Sequence, residues 1–204
     1  MFDAHISKEK LSSLPLADHP NPIVVIDTPA KEQTALTEIQ EHSVVGFDTE
    51  TRPSFTKGEE HQVALIQIAT PVKSYLFRVH VLEFSTALKT FLTDEKIKKV
   101  GLSLRDDARA IRRRGNFTPE GLIDLQLLCP AFGILDSSLQ KVYAILFEKH
   151  MSKRQQLSNW EAAHLSDAQQ RYAALDALAC LQIYNKLLTL PVPALQDFGL
   201  LHLD

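Results

Sequence analysis

Cysteine is scarce in this chain: Cys129 and Cys180 are the only 2 in 204 residues, and neither has a Cys or His partner at zinc-binding spacing. That excludes a disulfide-built scaffold and a zinc module, and leaves two reduced core thiols as the expectation. Long apolar runs are missing too. Residues 173–181 form one of the longest apolar stretches, yet Asp176 interrupts it and it falls far short of a membrane span. Residues 1–21 hold Lys8, Lys10, Pro15 and Pro20, without a continuous apolar stretch of signal-peptide length. A soluble, cytoplasmic protein without membrane association is the expectation. Excess positive charge is absent as well: the formal net charge is −3, so any nucleic-acid site must be local. No internal repeat or low-complexity tract occurs.

What is present is the balance of a globular domain, with 45% hydrophobic and 23% charged residues. The length favours one folded unit, expected over residues 22–190, with an N-terminal extension at 1–21 and a C-terminal tail at 191–204.

The β-branched run Ile23-Val24-Val25-Ile26 predicts a strand, and Thr28-Pro29 supplies the cap and first position of a helix reaching about Gln40. Residues 44–50 and 63–69 read as buried strands. Thr70-Pro71 marks a turn into a third strand over 74–79, completing an antiparallel meander. Beyond it the pattern alternates: helix 83–92, strand 97–101, helix 104–114, strand 122–125. This is an α/β arrangement, a mixed sheet flanked by helices. Residues 138–147 place Leu139, Val142, Tyr143 and Leu146 on one helical face. In the last helix, Ser166 and Gln169 have capping-box spacing, and Leu175, Leu178, Ala179, Ile183 and Leu187 continue an apolar stripe.

The sharpest local feature is Phe47-Asp48-Thr49-Glu50, two carboxylates at i and i+2 ending an apolar strand, and therefore on one face. Two adjacent anions beside a core call for a counter-cation, and a divalent ion with oxygen ligands is the natural one. A solvated strand end accounts for the pair equally well. Tyr172 and Asp176 stand at i and i+4 on the last helix, with Asp176 among alanines and leucines. A buried, hydrogen-bonded Asp beside a core Tyr explains them too. Asp106 and Asp107 open a helix, where carboxylates commonly complement the helix dipole.

Taken together and in order, these segments resemble the DEDD superfamily of 3′-to-5′ exonucleases, in particular the ribonuclease D and Werner-type exonuclease domains. The motifs are Val45-Gly46-Phe47-Asp48-Thr49-Glu50-Thr51, Val100-Gly101-Leu102-Ser103-Leu104-Arg105-Asp106-Asp107, and Ser158-Asn159-Trp160 followed by Tyr172-Ala173-Ala174-Leu175-Asp176-Ala177. The resemblance covers residues 22–190 and implies a ribonuclease H-like fold. It assigns the four acids to Asp48, Glu50, Asp107 and Asp176, with Asp106 one residue of slippage away. Tyr172, four positions before the last acid, implies the tyrosine branch; the histidine branch's position holds Arg171.

The resemblance also implies two divalent cations, Mg²⁺ or Mn²⁺. Asp48, Glu50 and Asp176 would hold the one that activates water, with Asp48 bridging to a second held by Asp107. Tyr172 would orient the attacking water, and nucleoside 5′-monophosphates would leave. The implied partner is single-stranded DNA or RNA with a free 3′ end. Lys98, Lys99, Arg105, Arg109, Arg112, Arg113 and Arg114 gather around one strand and helix, and Lys153 and Arg154 precede the Ser158-Asn159-Trp160 motif. A solvated helix face explains most of these, while Lys153 and Arg154 are the preferred backbone contacts. Phe55 and Trp160 are aromatic candidates for base stacking, Trp160 being expected rather to pack on the last helix. His61 and His164 are read as structural or exposed. Two rival readings are a catalytically inactive exonuclease-like module that binds nucleic acid or protein, and a phosphohydrolase of free nucleotides.

Overall fold

The computed structural model describes residues 2–56 and 58–191; the tail expected at 191–204 lies, beyond Pro191, outside the described residues. In chain order, the elements begin α1 (Lys8–Ser13), β1 (Ile23–Ile26), α2 (Pro29–Ile39), β2 (Val44–Thr51), β3 (Val63–Ala69), β4 (Ser74–Phe77), α3 (Val79–Leu82) and α4 (Thr86–Thr93). There follow β5 (Lys98–Gly101), α5 (Leu104–Gly115), β6 (Leu122–Asp124), α6 (Leu125–Leu128), a 3₁₀ turn (Cys129–Phe132), α7 (Leu139–Phe147) and α8 (Asp167–Leu188).

The six strands form one mixed sheet in the order β1-β4-β3-β2-β5-β6. β2, β3 and β4 are the antiparallel meander, while β1 on β4, β5 on β2 and β6 on β5 pair in parallel. Alternation along β2 sorts its side chains between two layers. Val45 and Phe47 join the core under α2, α4 and α5, with Leu36, Phe91, Leu104 and Ile111. Gly46, Asp48 and Glu50 stand on the opposite face, where α8 lies.

Helix ends follow their caps. Thr28 accepts from the Lys31 amide with Pro29 in the first turn, and Ser166 and Gln169 form the reciprocal capping box of α8. One expectation needs correction: the helix placed at 83–92 begins at Thr86, capped by Ser85. Glu83 adopts φ 59° and ends the separate one-turn α3, so the chain changes direction between the two. The N-terminal residues carry a short helix that composition alone did not point to. They are strapped to the body by Leu135 N–H to the Ala4 carbonyl (2.9 Å) and Ala17 N–H to the His150 carbonyl (2.8 Å).

Two features open the region around β2. β5 pairs with β2 only as far as Gly46 opposite Val100, so Asp48 and Glu50 lie beyond the end of that pairing. β5 then ends at Gly101, where a Cβ would meet Leu104 Cδ2 at 2.3 Å and the Phe47 carbonyl oxygen at 2.7 Å. The chain can therefore turn tightly past β2 into α5.

Candidate active site

Three segments converge where β2 outruns β5. From β2 come Asp48 and Glu50; from α8 comes Asp176, 8% exposed; from the first turn of α5 comes Asp107. Carboxylate oxygens of Asp48, Glu50 and Asp176 lie within 4.8 Å of one another. Asp107 reaches the group from the other layer, accepting a hydrogen bond from the Thr49 hydroxyl on β2. Its neighbour Asp106 points away: its side chain is 87% exposed and pairs with Arg109 at 3.3 Å. The geometry thus brings Asp107, not Asp106, to the acids of β2 and α8.

The crowding is written in the protonation of these groups. Burial, then the charges of Asp107, Asp176 and Glu50, hold Asp48 well above the usual carboxyl range. Glu50 is pushed up to about 9 by burial and then by Asp176 and Asp107. Asp176 is pushed up to about 7 by burial, a rise the nearby Tyr172 hydroxyl partly offsets. Burial also raises Asp107, to about 6, against the lowering effect of Thr49. The Tyr172 phenol is itself raised by burial and then by Asp176, Glu50 and Asp48, so it stays protonated and serves as a donor. Four carboxyls so placed cannot all ionise unless positive charge enters among them. The donors are all hard oxygens, which fits a divalent cation such as Mg²⁺ or Mn²⁺ and not a thiolate-preferring metal.

The surroundings fix these acids. Trp160 is fully buried between Leu65, Leu76 and the Ala173-Ala174 face of α8, its ring 6.0 Å from that of Tyr172. It therefore packs the tyrosine and does not present a stacking face. The buried Arg78 guanidinium donates to the Ala162 and Ala163 carbonyls and so anchors the segment leading into α8. Asp124, at the end of β6, accepts from the amides of Ser103 (2.8 Å), Leu104 (2.9 Å) and Gln126 (2.9 Å). Ser103 has φ 65°, so this carboxylate clamps a left-handed turn that launches α5 and carries Asp107. Sequence reasoning missed Asp124; the signal was an acid ending the apolar Leu122-Ile123 strand just before a helix.

The basic candidates divide. Lys99 is fully buried, its ammonium donating to the Asp94 (2.6 Å) and Glu120 (2.9 Å) carbonyls, and Arg114 donates to Val63, Val79 and Glu83. Both are structural. Lys98 donates to the Glu95 carbonyl, and Arg109 and Arg113 pair with Asp106 and Glu60. Arg105, Arg112, Lys153 and Arg154 are exposed and form no ion pair among the described residues. Phe55 is 81% exposed and Leu157 67%, and both line a cavity of about 320 Å³ beyond the end of β2, with Arg52, His61 and Asn159. His61 stands between Glu59 (3.2 Å) and Glu161 (3.5 Å), while His164 is exposed.

A family model described as 3′-5′ exonuclease matches residues 23–190. The chain belongs to the 3′-5′ exonuclease family. Among relatives, the bifunctional 3′-5′ exonuclease/ATP-dependent helicase WRN of Mus musculus is 31% identical over 188 residues, covering 86% of this chain and 13% of that protein. Exonuclease 3′-5′ domain-containing protein 2 of Drosophila melanogaster is 32% identical over 163 residues, covering 76% of this chain and 28% of that protein. The chain thus spans a minor part of each. The Aedes aegypti Nibbler EXO domain superposes with a TM-score of 0.77 at 23% identity, covering 85% of this chain and 91% of that one. Trypanosoma brucei RNase D in complex with RNA U12 gives 0.75 at 25% identity, covering 85% and 65%. These folds bear out the ribonuclease H-like mixed sheet, and the matched span includes every acid of the exonuclease motifs. No helix among the described residues is long and apolar enough to cross a membrane.

Proposed function

We propose that residues 22–190 form a divalent-cation-dependent exonuclease that removes nucleotides one at a time from the free 3′ end of single-stranded DNA or RNA. The observation that carries this reading is the meeting of Asp48, Glu50 and Asp176, with Asp107 beside them, at an open strand edge. Each is held above the ordinary carboxyl range by burial, and Asp48 and Glu50 also by the charges of the other acids.

In this reading Asp48, Glu50 and Asp176 would hold one cation, and Asp107 with Asp48 would hold a second. Such cations would supply charge neutralisation at the phosphoryl oxygens, a more acidic bound water and stabilisation of the departing oxygen. The chain's own residues do the positioning. Asp48 and Glu50 are fixed by the β2 ladder, and Asp176 by an α-helix wedged against that strand, so the oxygen donors need little rearrangement. Tyr172 keeps its proton and orients the attacking water as a hydrogen-bond donor or acceptor. Lys153 and Arg154 are free to meet backbone phosphates, and Phe55 has the exposure that stacking on a base requires. The Trypanosoma RNase D structure in complex with RNA supports a polynucleotide ligand.

The test is digestion of 5′-labelled single-stranded DNA and RNA with Mg²⁺ or Mn²⁺, beside EDTA and Asp176→Ala controls. A ladder shortening from the 3′ end, releasing 5′-monophosphates and lost in both controls, is the expected result. Folded protein that shortens neither polymer under any metal condition refutes the reading and leaves a binding module; turnover of free nucleotides alone indicates a phosphohydrolase.

A further inference from the structure

β3 is an apolar strand with one interruption. In Val63–Ala69 every residue is buried and all but Gln67 are hydrophobic. Gln67 has no exposed surface, and neither its amide nitrogen nor its amide oxygen has a hydrogen-bond partner in the protein. Buried side-chain amides are nearly always satisfied, so a doubly orphaned one needs an explanation.

The sheet register supplies it. Gln67 lies opposite Asp48 on β2 and opposite Leu76 on β4. Directly paired residues project to the same face with Cβ atoms about 5 Å apart, within reach of a Gln side chain. The helix above offers methyl groups: Ala177 packs with Ala69, and Ala173 and Ala174 with Leu65, the residues flanking Gln67 on that face. One cross-strand neighbour is a leucine, and the other is the carboxylate around which the acid cluster is built.

We propose that Gln67 is a positioning residue for the cation site: its amide N–H donates to the Asp48 carboxylate directly across the strand pair and fixes it for cation binding. The inference rests on the exonuclease reading of the cluster. Asp48 is the one polar cross-strand neighbour of the amide, so ordering of that carboxylate around a cation and satisfaction of Gln67 occur together. Hydrogen bonds of this kind to a metal-binding carboxylate orient it and strengthen metal binding, and their removal weakens metal affinity by about 10- to 100-fold.

The experiment is a Mn²⁺ titration of metal-free protein, read by electron paramagnetic resonance of free Mn²⁺ and by thermal shift, for wild type, Gln67→Met and Gln67→Leu. Both variants remove the amide and keep the core filled. Their metal-free Tm should equal or exceed the wild-type value, because a buried unpaired amide is gone, while the Mn²⁺ requirement rises about 10- to 100-fold. Turnover of a labelled oligonucleotide should recover at high Mn²⁺ with its KM unchanged. Wild-type Mn²⁺ affinity in either folded variant overturns the proposal, as does failure of both to fold, which would make Gln67 a core residue. Wild-type protein that binds no Mn²⁺ removes the exonuclease reading and this inference with it; wild-type binding with unaltered variants removes the inference alone.

Discussion

Gly46 on β2 lies against Ala177 on α8 so closely that a Cβ added to the glycine would stand 1.9 Å from the Ala177 carbonyl oxygen. Strand and helix backbones are in direct contact there, two residues before Asp48 and one residue after Asp176. That contact lets carboxylates from β2 and α8 share one site. Gly46→Ala must push the helix off the strand. It should cost about 3 kcal/mol in urea unfolding, the range of overpacked cores, and lower exonuclease turnover more than a surface mutation of equal stability does. A variant of wild-type stability and rate would show that the contact does not set the site.

Neighbouring acids at the start of α5 should behave oppositely. Asp107 faces Thr49 and the cluster, whereas Asp106 is exposed and paired only with Arg109. Asp107→Asn is expected to lower turnover by on the order of 10² or more, as for loss of a central electrostatic element. Asp106→Asn should stay within about twofold of wild type and within about 0.5 kcal/mol in stability, since an exposed pair contributes little. Rates measured side by side decide between them; a reversed order would put Asp106 in the site.

Much of this was readable in the chain, and the exceptions share a cause. Strands from apolar β-branched runs, and α8 from its capping box, depend on neighbours within a few residues, and the sequence displays those directly. The acids were picked out together only by the resemblance, because each alone also suits a solvated strand end, a buried Asp beside a Tyr, or a carboxylate complementing a helix start. Gln67, Asp124 and the burial of Lys99 and Arg114 each depend on at least one group 19 to 51 residues away in the chain. A lysine inside the β5 pattern reads as a surface charge until its two carbonyl acceptors are in view. The break at Glu83 was equally hidden, because a positive φ at a glutamate is imposed by surroundings and not favoured by the residue.

Metal-free protein should lose stability as pH rises. Glu50 ionises near 9 and Asp176 near 7 in the folded chain, both above their ordinary values. At low pH these groups are neutral folded and unfolded, and contribute no difference. Above about pH 4, the unfolded chain releases protons that the folded chain retains, so stability falls and continues to fall until Glu50 also ionises in the fold. One such group titrating across two pH steps amounts to about 3 kcal/mol, roughly 6–12 °C in Tm for a chain of this size. Saturating Mg²⁺ or Mn²⁺ should flatten the slope. Asp48→Asn should raise the metal-free Tm near pH 8 and lower turnover by on the order of 10² to 10³. Calorimetry across pH 5–9, with EDTA and with metal, checks the sign; stability that climbs with pH in EDTA would contradict the crowded-acid account.

The role of Asp124 separates architecture from chemistry. Its charge reaches Asp107, but its carboxylate accepts three backbone N–H groups and holds Ser103 in a left-handed turn. That turn sets where α5 begins, and so where Asp107 arrives. Asp124→Ala strands the buried Leu104 amide and leaves the partly buried Ser103 and Gln126 amides to solvent, and the cost should be about 1–3 kcal/mol, the penalty of one orphaned buried donor. Asp124→Asn keeps one acceptor oxygen and should lose less. If Asp124 acts only through the turn, turnover in the Asn variant will fall through misplaced Asp107, and added Mn²⁺ will partly restore it by pulling the carboxylate into place. A titration of rate against Mn²⁺ reads this: a raised metal requirement with a recoverable maximum fits a positioning role, whereas wild-type metal dependence in a destabilised variant would confine Asp124 to folding.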